Sequence, residues 1–183
     1  MESFTTVIHN AVTDKDITRV KNIIKKKKLF KGRLNDGEGE LKKDIRDSNV
    51  FMFSPDDDLW LYNIIGSIAI SANKNFNFNI KTVQTIQYTE YNKGQYYDWH
   101  VDTFLSSYKA LTDRKLSVSL QLSDADDYEG GDLEISQSDF SGMEVRQKGT
   151  AIVFPSFLEH RVTPVTKGKR ISLVSWVEGT KFC

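Results

Sequence analysis

Three histidines occur in this chain, His9, His100 and His160, and two of them sit in surroundings suited to metal chemistry. His100 lies in Tyr96-Tyr97-Asp98-Trp99-His100-Val101-Asp102. In an extended segment residues two apart share a face, so His100 and Asp102 converge on one side. His160 closes Phe154-Pro155-Ser156-Phe157-Leu158-Glu159-His160, just after a segment with strand composition. Reaching in from a neighbouring strand, it would complete a set of two imidazoles and one carboxylate. Such a set covers one face of an octahedron and leaves three positions open, which suits non-haem Fe(II). Taken alone, a His-x-Asp triplet is common, and its plain alternative is a hydrogen-bonded buried His beside a surface Asp.

Arg170 adds weight to the chemical reading. It lies ten positions past His160 and opens Arg170-Ile171-Ser172-Leu173-Val174-Ser175-Trp176. Strand periodicity puts Arg170, Ser172 and Trp176 on one face and Ile171, Leu173 and Val177 on the other. An inward-facing Arg in a small barrel is costly without an anion to pair with. Its planar fork suits a carboxylate bidentately, and the Ser172 hydroxyl offers a further donor.

The remaining pattern says which elements must hold these groups. A helix is expected from Thr13 to about Leu29, with Ile17, Val20 and Ile24 at helical spacing and Thr13 and Asp16 placed as a capping box. It ends in Lys25 to Lys28, read as a solvated helix end and not as a phosphate-binding run. Residues Lys31 to Gly39 read as a loop. Ser54 as N-cap, Pro55 in the first turn and Asp56 to Asp58 start a second helix, with Leu59, Tyr62, Ile65, Ile68, Ala69 and Ala72 on its buried stripe. From Ile80 to Tyr91 the residues favour strand. Leu116, Val118, Leu120 and Leu122 then alternate with Ser117, Ser119 and Gln121. Short strands are expected at Asp132–Ser136, Met143–Arg146, Thr150–Phe154 and Arg170–Val177, separated by glycines. The fold class is mainly β with flanking N-terminal helices (α+β), an antiparallel sandwich or barrel. We read residues 1–183 as a single domain, helical over about 1–79 and barrel-forming over about 80–183.

Composition excludes several functions. Lys plus Arg and Asp plus Glu both count 25, so the formal net charge is zero and a dominant electrostatic affinity for nucleic acid or anionic membrane is not expected. Met1 to Asn10 lacks the apolar core of a signal peptide, and Leu59 to Ala72 is too short and polar to span a bilayer. The single cysteine, Cys183, suits a reducing compartment, so a soluble, cytoplasmic protein is expected.

Tyr91-Asn92-Lys93-Gly94-Gln95-Tyr96-Tyr97-Asp98-Trp99-His100-Val101-Asp102, Gly130-Gly131-Asp132-Leu133, His160 and Arg170 together resemble the Fe(II)- and 2-oxoglutarate-dependent dioxygenases. Within these the chain is similar to the prolyl 4-hydroxylase-like branch, especially the PKHD-type hydroxylases, over roughly residues 50 to 180. The resemblance implies a double-stranded β-helix (jelly roll) with iron at one mouth. It implies Fe(II) held by His100, Asp102 and His160, and the distal carboxylate of 2-oxoglutarate paired with Arg170. Animal collagen hydroxylases carry Lys there, so Arg170 favours the PKHD-type branch. Tyr91, Ser172 and, less closely matched, Tyr88 would contact the cosubstrate. Tyr97, Trp99 and Trp176 would face the substrate, barrel packing being the alternative for each aromatic.

The implied reaction consumes O2 and 2-oxoglutarate, releases succinate and CO2, and hydroxylates an unactivated C–H bond, with ascorbate as an optional reductant. Related halogenases replace the carboxylate ligand by a small residue, so Asp102 points to hydroxylation. A proline in a peptide or protein partner is the substrate that the resemblance favours; a free amino acid or small molecule is the alternative. Nucleic-acid demethylation ranks lower, because those enzymes usually carry a second arginine six residues beyond the first, and Trp176 stands there. A non-enzymatic jelly-roll binding module would leave Arg170 and Ser172 unexplained. Residues Thr103 to Arg114 read either as a lid over the metal or as an ordinary loop.

Overall fold

In a computed structural model, residues 4–32, 45–103, 111–138 and 143–182 are described. The first helix, α1 (Asp14–Ile24), carries the expected capping box, with Thr13 accepting from the Asp16 backbone and Asp16 accepting from the Thr13 N–H. It stops at Ile24, short of the lysine run, because Ile17, Val20 and Ile24 exhaust its buried stripe. The second, α2 (Pro55–Asn73), starts at Ser54 as expected. Asp58 departs from helical geometry (φ −125°, ψ 31°) in the first turn, and Tyr62, Ile65, Ile68, Ala69 and Ala72 are buried as expected. Leu61 is buried in place of Leu59, which is exposed.

The strands form two antiparallel sheets. Along the larger run β1 (Thr6–Ile8), β10 (Ala151–Pro155), β7 (Thr112–Gln121), β12 (Val165–Thr180), β5 (Ile80–Asn92), β4 (Asn49–Phe53) and β2 (Phe30–Lys31), with β8 (Tyr128–Gly130) added to β12. The smaller runs β3 (Arg46–Asp47), β6 (Tyr96–His100), β11 (His160–Val162) and β9 (Leu133–Ile135). This is the jelly-roll class expected. The first 79 residues are not purely helical, however, since β1 pairs with β10, β3 with β6 and β4 with β5. Met143–Arg146, expected as a strand, is a 3-10 turn. The Arg146 guanidinium reaches back to the Tyr128 carbonyl and Asp132, so the segment curls instead of extending.

Both faces of the large sheet are covered. Its outer face, with Leu116, Leu120, Val153, Ile86, Tyr88 and Leu173, packs against the buried residues of α1 and α2 in one apolar cluster. Its inner face, with Ser117, Ser119, Gln87, Arg170 and Trp176, lines the space between the sheets. The alternation of β7 therefore separates an apolar packing face from a polar interior, and Ser117, Ser119 and Gln121 are as buried as their neighbours. Among the described residues no helix is long and apolar enough to cross a membrane.

The Gly130-Gly131 pair now has a physical reason. Both residues have positive φ, +68° and +63°. A Cβ on Gly131 would sit 2.8 Å from Val165 Cγ2 and 3.3 Å from Arg170 Cδ. Left-handed backbone strain of about 1–2 kcal/mol and overpacking of roughly 1–3 kcal/mol would both follow from a side chain there. Gly131→Ala is therefore expected to lower Tm by at least 4 °C, at about 2–4 °C per kcal/mol for this chain length; thermal unfolding by circular dichroism checks this.

Candidate metal and cosubstrate site

The ligand candidates meet. One ligand atom from each of His100, Asp102 and His160 lies within 4.8 Å of the others. The smaller sheet brings the imidazoles together, because His160 pairs directly with His100 across β11 and β6. Asp102 follows β6 and is fixed by its backbone N–H donating to the Ser156 carbonyl at 2.9 Å. Its carboxylate lies 3.3 Å from His160 Nε2 and 3.8 Å from His100 Nε2.

Hydrogen bonds fix the tautomers. His100 Nδ1 lies 2.7 Å from the Asp98 carbonyl and His160 Nδ1 lies 3.0 Å from the Leu158 carbonyl. A carbonyl only accepts, so each Nδ1 carries the proton, and in the neutral ring each Nε2 lone pair is left for a metal. Ser117 Oγ donates to Asp102 Oδ2 at 2.7 Å and orients the carboxylate.

The electrostatics match this arrangement. Burial pushes His100 down to about 4, with the like charge of His160 adding to the shift. Burial opposes ionisation of Asp102 as well. The charge and hydrogen bond of His160, with His100 and Ser117, more than offset it and hold the carboxyl well below the usual range. His160 is likewise pushed down by burial but raised overall by Asp102. One buried carboxylate thus draws positive charge to a point that both Nε2 atoms face.

A cavity of about 300 Å³ opens from these residues. Arg170 lines it at 1% exposure, and its Nε and Nη2 have no hydrogen-bond partner among the described residues. The Ser172 hydroxyl, also fully buried on that face of β12, is unpartnered too. Tyr91 pairs in register with Arg170, and its ring centroid lies 5.7 Å from the guanidinium carbon. Burial raises the Tyr91 phenol despite the nearby Arg46 and Arg170 charges, so it stays a neutral donor. A buried cation with unpaired donors beside a His-Asp-His face fits a metal ion together with a chelating dicarboxylate.

The other candidates divide. Tyr97, Trp99 and Trp176 all line the cavity. Trp99 is 43% exposed at its mouth, while Trp176 is buried with the Arg114 guanidinium 4.1 Å above its ring. Tyr88 does not reach the cavity. It lies three residues from Tyr91 on an unbroken strand and so faces the helices, within the apolar cluster. Of the Thr103–Arg114 segment, residues 104–110 lie outside the described residues, and 112–114 already belong to β7. Sequence reasoning missed Ser117 and two arginines, Arg46 and Arg114. Arg114 donates to the Asp102 carbonyl at 3.2 Å and to Gln84 at 2.8 Å, and Arg46 lines the cavity from β3. Ser117 carried a signal, the polar half of the β7 alternation. The two-residue β3 carries none.

The profile of the 2OG-Fe(II) oxygenase superfamily matches residues 86–178, about half of the chain. The chain belongs to that superfamily. Among relatives of this oxygenase, a PKHD-type hydroxylase of Alteromonas mediterranea is 37% identical over 95 residues, covering 50% of this chain and 42% of that protein. One from Picosynechococcus is 38% identical over 112 residues, covering 60% of this chain and 50% of that protein. The matches thus span half or less of the relatives' length. In fold, the oxygenase is similar to a Pseudomonas putida prolyl-4-hydroxylase, with TM-score 0.73 and 16% identity over 98% of this chain and 94% of that one. It is also similar to a Trichoplax adhaerens prolyl hydroxylase solved with a hypoxia-inducible-factor peptide fragment, with TM-score 0.74 and 18% identity over 96% and 83% of the two chains.

Removing the Ser117 donor should loosen the metal site without unfolding it. Ser117→Ala is expected to weaken Fe(II) binding about 10- to 100-fold, read by anaerobic calorimetric titration. An unchanged affinity would mean that Asp102 needs no anchor.

Proposed function

We propose that this oxygenase binds Fe(II) through His100, Asp102 and His160, seats 2-oxoglutarate against Arg170, and hydroxylates an unactivated C–H bond in a peptidyl proline. The observation that carries the reading is the fully buried Arg170, its Nε and Nη2 without a partner among the described residues, lining the same cavity as the His-Asp-His face. The PKHD-type and prolyl hydroxylase names of its relatives and fold neighbours favour the substrate. A free amino acid or small molecule is the competing substrate.

Bound Fe(II) with 2-oxoglutarate and O2 would supply the oxidising chemistry, with succinate and CO2 as the other products. The chain's own work is holding and aiming. The two Nδ1–H donors fix the tautomer that turns each Nε2 forward, and Ser117 helps hold Asp102 as an anion. Arg170 would hold the distal carboxylate, its fork being suited to a bidentate pair, with the Ser172 and Tyr91 hydroxyls as further donors. Phe154, Leu133 and Val162 in the cavity wall exclude water from the seat. Trp99 at the mouth and Trp176 further in present aromatic area to a proline ring.

The test is succinate formation from 2-oxoglutarate with Fe(II), coupled to product mass on a panel of proline-containing peptides. Gain of one oxygen atom on a peptide is expected, and turnover only on small molecules would overturn the prolyl assignment. His160→Ala should abolish turnover with the fold intact by circular dichroism. Arg170→Ala should raise the apparent KM for 2-oxoglutarate by roughly two to four orders of magnitude, since removing the partner of a buried carboxylate costs about 3–5 kcal/mol. An unchanged KM would refute that role.

A further inference from the structure

One ring contact in the site is not explained by substrate binding. The Tyr97 and His100 rings lie face to face, with centroids 3.5 Å apart and planes at 12°. Residues three apart on a regular strand point to opposite faces, so these rings should not meet. The pairing explains why they do. Val162 pairs with Tyr97 and His160 with His100, so β11 advances two residues while β6 advances three. The extra residue is a β-bulge at Asp98–Trp99, a device that re-aims a side chain. It also turns the Asp98 carbonyl toward His100 Nδ1, and the Asp98 side chain accepts from the Trp99 N–H at 2.8 Å.

The far side of Tyr97 is built as well. The Arg46 guanidinium carbon stands 4.6 Å from the Tyr97 ring centroid, and because His100 occupies one face, Arg46 must occupy the other. Arg46 is itself held, with Nε donating to Ser48 Oγ at 2.9 Å. A Cβ on Gly32 would sit 2.6 Å from Arg46 Nε, so the chain passes close beside the guanidinium there. The result is a column, Arg46 over Tyr97 over His100, running from β3 to a metal ligand.

We infer that Tyr97, clamped by Arg46, is a positioning residue that fixes the ring plane of His100 for metal binding. This inference rests on the proposed metal site. The last torsion of a histidine side chain is broad, and one hydrogen bond at Nδ1 leaves the ring free to swing about it. A parallel ring at 3.5 Å removes that freedom. Tyr97 thereby acts on His100, where the family resemblance implied a place beside the substrate.

Anaerobic titration with Co(II), followed by its visible d–d absorption, tests this without cosubstrate or turnover. Tyr97→Leu should lower Co(II) affinity about tenfold or more and change the band shape. Tyr97→Phe, which keeps the ring face, should restore affinity to within about twofold of the parent, and Arg46→Met should fall between. A folded Tyr97→Leu protein with the parent's affinity and spectrum would overturn the inference, as would a Phe variant as impaired as the Leu variant. If the parent chain itself bound no Co(II), the metal site would fail first, and the column with it.

Discussion

Everything in this site depends on one cross-strand pair, His160 opposite His100 at the junction of β11 and β6. Two imidazoles side by side are unremarkable until a carboxylate joins them. Asp102 joins because the chain leaving β6 is pinned at once, with the N–H groups of Asp102 and Thr103 both donating to the Ser156 carbonyl. Ser156 stands just after β10, four residues before His160, and its hydroxyl also meets Ser117 at 3.0 Å. The same short segment therefore delivers the second histidine and anchors the carboxylate. A shift of either strand by one residue would turn a ligand to the wrong face.

Arg170 imposes the second constraint, and it is one of space. A guanidinium this deeply buried needs both an anion and a route for its stem. The stem passes Gly131, where any side chain would collide with Val165 and crowd Arg170 Cδ. The Gly-Gly turn and the arginine, forty residues apart in the sequence, thus form a single structural unit. This explains why the motif resemblance gains specificity from parts that look trivial alone.

What could be read from the sequence follows from how each feature is encoded. That His100, Asp102, His160 and Arg170 share one cavity was legible because residue type and spacing suggest their chemistry directly. Ser117 was half legible. Alternation marked it as polar, and polar strand residues ordinarily face water, but here the second sheet covers that face. Tyr88 was misassigned although periodicity could have settled it, since three residues of regular strand separate it from Tyr91. Leu59 was misplaced although counting could have settled it, since at about 3.6 residues per turn it lies well off the line through Leu61, Ile65, Ile68 and Ala72. Arg46 was illegible, because a two-residue strand has no period and its contacts come from Tyr97 of β6 and from Ser48. The Tyr97–His100 stack was hidden for a related reason. A bulge breaks the very period from which its geometry would be read.

The distribution of polar groups shows how the protein keeps such a site without losing its fold. A sandwich usually draws its stability from the two inner faces. Here the inner face of the large sheet carries serines, glutamines and an arginine around a cavity, with the Ser172 hydroxyl and the Gln121 side-chain Oε1 unpartnered among the described residues. Those are costs of binding a polar ligand. The compensation lies on the opposite face of the same strands, where Leu116, Leu120, Ile86 and Leu173 pack against Leu61, Ile65 and Ala69 of α2 and Ile17 and Val20 of α1. Helices before the barrel are thus no accessory to it. They convert the outer face of a hollow sheet into the main apolar core, and so leave the inner face free to be shaped by chemistry.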